Sequence, residues 1–147
     1  MKTFVVDASV GAKWLLPSVA EPLADEAEVL LGLYAQGQLR LVAPDLFWSE
    51  IGNVLWKAVL KGRMKAPDAE GAIERALQFG FPLLAAADLL PSALAIALAH
   101  GRTFYDSLYV AAAMSAHAEL ITADEKLANA LGIRFPVRWL GGLRSFL

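Results

Sequence analysis

Phe4-Val5-Val6-Asp7 near the amino end and Leu120-Ile121-Thr122-Ala123-Asp124 near the carboxyl end decide how this chain folds. Each is a short apolar run that stops at or just before an aspartate and passes into a helical pattern. Neither run is long enough for a helix, and neither alternates apolar with polar, so both read as strands buried on two faces. Leu41-Val42-Ala43, closed by Pro44, is a third of the same kind. Phe81-Pro82-Leu83-Leu84 is weaker, with Pro82 pointing to an edge position, and Val137-Arg138-Trp139-Leu140 is a final strand.

Between these runs the apolar spacing is helical. The pattern predicts helices over residues 10–16, 22–34, 45–60, 67–77, 88–100, 105–117 and 124–131, with Pro17, Gly37, Gly62, Gly101 and Gly132 as stops. Strands separated by helices, rather than by tight hairpin turns, imply an α/β fold. Its core is a mainly parallel central sheet of about five short strands, covered by helices on both faces. No linker, repeat or low-complexity stretch divides the chain, so residues 1–147 read as a single domain.

Composition narrows the functional classes. Hydrophobic residues make up 57% of the 147, ample for a core, while the charged fraction of 19% leaves apolar side chains over for the surface and so points to an oligomer or a complex. The absence of cysteine excludes disulfides, thiolate zinc sites and a cysteine nucleophile. No apolar run reaches membrane-spanning length and the start lacks the apolar segment of a signal peptide, which makes the cytoplasm the default location. With a net charge of −2, any grip on nucleic acid has to be local. The one concentrated basic stretch, Lys57, Lys61, Arg63 and Lys65, is either a set of phosphate contacts or a solvated helix end.

Four acids stand out by position. Asp7 sits at the carboxyl end of the first strand, where open parallel sheets put their ligands, and could equally cap the helix that follows. Glu50 lies between Phe47 and Val54 at helical spacing, on or beside the stripe that faces the core. A carboxylate there needs a cation, a salt bridge or exposure at the helix end, and Asn53, three residues on, could orient it. Asp106 opens a helix that is apolar nearly all round and shares a face with Tyr109, Val110 and Ala113, so its side chain is read as turned toward packed protein, with capping as the plain alternative. Asp124 repeats the geometry of Asp7 after the strand ending at Thr122. Capping explains each acid singly but not why all four converge on one edge of a parallel sheet. Carboxylates gathered in one place repel and raise one another's pKa, and a bound hard cation relieves both effects. All-oxygen ligation suits magnesium or manganese. His100 and His117 fall at helix ends and read as exposed, as does Glu125 beside Asp124.

A cation held this way activates water against a phosphodiester. No serine triad signature, glycine-rich phosphate loop or phosphoaspartyl motif is present to suggest other chemistry. Four stretches, in this order and at these separations, make the pattern specific: Val5-Val6-Asp7-Ala8-Ser9, Pro44-x-Leu46-x-x-x-Glu50-x-x-Asn53, Tyr105-Asp106-Ser107-Leu108-Tyr109-x-Ala111, and Leu120-Ile121-Thr122-x-Asp124-x-x-Leu127. Together they resemble the PIN-domain nucleases, above all the VapC-like toxins of prokaryotic toxin–antitoxin pairs. The resemblance implies an acidic cluster of Asp7, Glu50, Asp106 and Asp124, with Ser9, Thr122 and Asn53 in support. It also implies a metal-dependent endoribonuclease acting on RNA, a homodimer, and an antitoxin lying across the active-site groove. Three other readings stay open: a housekeeping PIN nuclease of RNA processing or decay, a phosphatase for small phosphoesters, and a non-catalytic binding module.

Overall fold

The apolar triplets form the strands. In the computed structural model, which describes residues 1–147, they are Thr3–Val6 (β1), Arg40–Pro44 (β2), Leu83–Leu84 (β3), Glu119–Thr122 (β4) and Val137–Trp139 (β5). They make one five-stranded sheet in the order β3-β2-β1-β4-β5, and all four pairings are parallel. β1 is central, with Val5 opposite Val42 on one side and Leu120 on the other. Neighbouring residues of a strand point to opposite faces, and Phe4, Val5 and Val6 are all buried, so both faces of β1 are covered.

Seven helices supply the cover: Ala8–Gly11 (α1), Ala24–Ala35 (α2), Phe47–Leu60 (α3), Ala66–Ala76 (α4), Ala86–His100 (α5), Phe104–Ser115 (α6) and Glu125–Leu131 (α7). α6 is the central one, in contact with β1, β2 and β4 and buried at every residue from 107 to 113. An aromatic cluster ties α2, α3 and the turn after α1 together. Trp14, Phe47, Phe79 and Phe81 meet at tilted or edge-on angles, and the Trp14 indole donates to the Ala27 carbonyl at 2.8 Å. Edge-to-face contact of this kind adds to simple burial. α1 and α3 approach so closely that a Cβ on Gly11 would lie 2.6 Å from Ile51 Cδ1 and still nearer the Phe47 ring.

The differences from the sequence reading are local. The helix expected over residues 10–16 is a single α-turn continued by a 3-10 turn at Ala12–Trp14. The weak strand at 81–84 shrinks to Leu83–Leu84, at the sheet edge, and the Pro82 carbonyl accepts from Ala43 N. α5 begins two residues early and takes in Pro91, whose missing N–H leaves only the carbonyl of exposed Ala87 for water to satisfy. The final strand stops at Trp139, and a 3-10 segment, Leu140–Ser145, follows it. No helix is long and apolar enough to cross a membrane.

Chain direction fixes where a ligand can sit. From β1 the chain adds β2 and β3 on one side, then returns through α5 and α6 to lay β4 and β5 on the other. Strand order therefore reverses between β1 and β4, and the crevice beyond the carboxyl ends of these two strands is where such sheets bind ligands.

Candidate active site

Asp7 follows β1 directly, and its backbone N–H continues the ladder to the Ile121 carbonyl of β4 at 3.4 Å. It caps α1, one carboxylate oxygen accepting from Val10 N at 3.3 Å and also from the Ser9 hydroxyl. Capping and site placement, alternatives in the sequence, are therefore both present. Ser9 serves β4 as well: its Oγ accepts from Ala123 N at 2.9 Å and lies 3.4 Å from Thr122 Oγ1. Thr122, fully buried, accepts in turn from Asp124 N at 3.1 Å. Asp124 caps α7 through one oxygen, 3.1 Å from Leu127 N, with the rest of the residue exposed.

The other two acids come from helices. Glu50 lies in the first turn of α3, half-buried, and accepts from the Tyr109 hydroxyl of α6 at 2.6 Å. The sequence offered Asn53 for that task. Asn53 is instead exposed and lines a neighbouring groove, while Tyr109, noticed only as part of the packed face of α6, orients the carboxylate. Asp106 corrects a second expectation. It sits in the first turn of α6 with its N–H on Thr103 Oγ1, its side chain is 36% exposed rather than packed inward, and it lies 3.9 Å from Arg102 one turn back. Burial in α6 begins at the next residue, Ser107, so the first turn is still at the rim.

Asp7, Glu50, Asp106 and Asp124 all line one cavity of about 150 Å³, together with Ser9, Tyr105 and Tyr109. A groove of about 540 Å³ adjoins it, sharing Ser9, Glu50 and Asp124 and adding Asn53 and Lys13. His100 lies away from the cavity, edge-on to Phe135 at 5.0 Å, and neither His117 nor Glu125 lines it. Tyr105, 59% exposed on the cavity wall, stood in the sequence only as part of the stretch around Asp106, and Lys13 of the groove went unnoticed. Only its spacing, four residues after Ser9, could have singled Lys13 out.

The electrostatics are those of carboxylates short of positive charge. Burial pushes the Asp7 carboxyl up from 3.8 to about 6; bonds from Ser9, Thr122 and Val10 oppose this and the charge of Asp106 adds to it. Burial raises Glu50 too, against the stabilising Tyr109 hydroxyl and with Asp106 again unfavourable. Tyr109 is held far above the usual phenol range by burial and by Glu50, so it stays a donor. None of the chain's ion pairs involves Asp7, Glu50 or Asp124. The four acids share a cavity, yet no three of them are close enough as the side chains stand to hold a metal ion. What fits a hard divalent cation is the donor chemistry: oxygen only, with no thiolate or imidazole, around a buried carboxylate without a counter-charge.

An all-parallel sheet with acids gathered at its reversal point defines a class of α/β proteins built to work at the strand ends. The PIN domain profile matches residues 4–131, and the chain belongs to the PIN domain family. Among its relatives, Ribonuclease VapC3 of Pyrobaculum aerophilum is 34% identical over 127 residues, covering 85% of this chain and 92% of the relative. Ribonuclease VapC1 of Mycobacterium tuberculosis is 31% identical over 128 residues, covering 77% and 92% respectively. The crystal structure of PAE2754 from Pyrobaculum aerophilum superposes with a TM-score of 0.68 over 98% of both chains, at 25% identity.

Proposed function

We propose that this chain is a single-domain, divalent-metal-dependent endoribonuclease of the cytoplasm, the toxin of a toxin–antitoxin pair, acting as a homodimer. One observation carries the reading: four carboxylates from four separate segments line one cavity at the reversal of strand order, and the most buried of them, Asp7, has no cationic partner. Capping accounts for Asp7 and Asp124 singly but not for the shared cavity. The names of the two relatives, both ribonucleases, support RNA over small phosphoesters as substrate.

On this reading Asp7, Glu50, Asp106 and Asp124 hold magnesium or manganese. When bound, the cation lowers the pKa of a water and offsets charge on the phosphate. The protein's own contribution is positional. Ser9 and Thr122 keep Asp7 ionised and aimed, since hydrogen bonds to a carboxylate favour its charged form. Tyr109 fixes one Glu50 oxygen and leaves the other toward the cavity. The scissile phosphate enters from the larger groove, past Asn53.

The test is cleavage of total cellular RNA with manganese or magnesium, with and without chelator, beside Asp106→Asn, with sequencing of the new ends. Discrete, metal-dependent cuts that vanish in Asp106→Asn are expected. Indistinguishable wild type and variant would overturn the reading. Growth arrest on expression, relieved by a small open reading frame immediately upstream, separates a toxin from a housekeeping nuclease.

A further inference from the structure

Apart from Arg102, which lies against Asp106, the basic residue beside the acidic cavity is Lys13, and capping and core packing do not explain its place there. Lys13 lies four residues after Ser9 on the same helical segment, and both line the groove beside the cavity. Its side chain is only 9% exposed, and its Nζ is 3.0 Å from Glu21 Oε1. Glu21 Oε2 is in turn 3.0 Å from Arg63, just past the carboxyl end of α3, so one carboxylate is shared by two cations and the cluster keeps a net positive charge. A lysine so enclosed is costly unless something recovers its hydration, and one shared carboxylate does so only in part. The end of α3 and the turn after it also carry Lys57, Lys61 and Lys65, all exposed and none paired with an acid. Lys57 is one helical turn from Asn53, which puts it on the face of α3 that borders the groove.

In the other direction the wall changes sign. The cavity on the other side of Lys13, about 410 Å³, is lined by Lys13 and by two acids of α2, Asp25 and Glu28. A polyanion leaving the acidic cavity is therefore repelled toward α2 and attracted toward the end of α3. In a protein with a net charge of −2, this is where backbone phosphates can be neutralised.

We propose that Lys13 is a substrate-binding residue that contacts a phosphate of the RNA strand next to the one cut, with Arg63 and the basic end of α3 taking the phosphates beyond, and with Glu21 as the anion that the RNA phosphate displaces. The assignment rests on the ribonuclease reading above and adds the path of the strand. Phosphate contacts position a nucleic acid without reading its bases, so the track fixes which way the strand runs across the site and leaves sequence choice to other residues.

The experiment measures binding apart from cleavage, using an RNA oligonucleotide spanning one mapped cut and the Asp106→Asn chain, at several salt concentrations. Adding Lys13→Gln should weaken binding about five- to tenfold and reduce the slope of log K against log salt by about one. Lys13→Arg should restore most of both. Arg40→Gln, at the exposed amino end of β2 and so on the opposite edge of the sheet, should change neither. Glu21→Gln separates substrate binding from a purely structural ion pair: it leaves two cations facing the groove and should strengthen RNA binding, whereas a structural pair predicts the same loss of thermal stability, with unchanged affinity, for Glu21→Gln and Lys13→Gln. If the chain cuts RNA but Lys13→Gln keeps its affinity and salt slope, the phosphate track is wrong and the nuclease stands. If wild type neither cuts nor binds RNA, both fall.

Discussion

At the scale of single residues, Asp7 makes the sharpest prediction. Its folded-state pKa of about 6 lies above the ordinary 3.8, so between these values the folded chain binds more protons than the unfolded one, and stability falls as pH rises. Without metal the protein should therefore be more stable near pH 4.5 than at pH 7, by about 2 kcal/mol from Asp7 for a shift of this size. Urea unfolding in chelator at the two pH values checks this, with Asp7→Asn as the comparison. The variant should be stabler than wild type at pH 7 and should lose most of the pH dependence. Glu50, shifted in the same direction, supplies the remainder. All four acids that line the cavity were legible in the sequence, Asp7 and Asp124 where an apolar run meets a helix, Asp106 at the opening of a helix and Glu50 beside a core-facing stripe. Of their orienting partners, Ser9 and Thr122 came with the resemblance, while the partner of Glu50 did not. Helical spacing put Tyr109 on the packed face of α6, but only the tertiary arrangement reveals that its hydroxyl reaches a residue 59 positions away.

At the scale of elements, the contact between α1 and α3 controls the site from outside. Gly11 has an ordinary helical backbone, so the demand there is for space alone. Gly11→Val would force the Phe47 and Ile51 side chains apart, and with them α3 and its Glu50. Overpacking of this kind should destabilise by about 1–3 kcal/mol. It should also cut nuclease activity more than the unfolding curve accounts for, a comparison made at a temperature where the variant is fully folded. The sequence held no hint of this approach, since a glycine inside a short helix looks like weak propensity. It did predict the parallel arrangement, because β1, β2 and β4 are too short and too uniformly apolar for any setting but the middle of a covered sheet. Leu83–Leu84 shrank for the opposite reason: at an edge, with Pro82 beside it, little pairing is available.

At the scale of the whole molecule, the surplus of apolar residues appears on α5. Leu90, Leu94 and Leu98 recur one turn apart and are 45%, 51% and 78% exposed, with Leu83 of the adjacent edge strand 43% exposed. A leucine stripe of this kind is expected to be covered in solution by a second copy of the chain. Leu94→Asp should convert dimer to monomer in sedimentation or light scattering and leave the fold intact by circular dichroism. A wild-type chain that is monomeric at micromolar concentration would remove the homodimer from the proposed function.

The Ser9 hydroxyl, bonded both to Asp7 and to the backbone of Ala123, joins residues made at opposite ends of synthesis. While the chain is still on the ribosome, β1 can pair with β2 early, but its other edge must wait for β4, more than a hundred residues later. Until then Asp7 lacks the Ile121 carbonyl, Thr122, Asp124 and Leu127 as neighbours, and long-range closure of this sort is a slow step. A ribosome that makes such a nuclease is thus exposed to it only once the chain is nearly finished, and a fragment broken off before Glu119 carries three of the four carboxylates but not the strand and helix that complete their cavity.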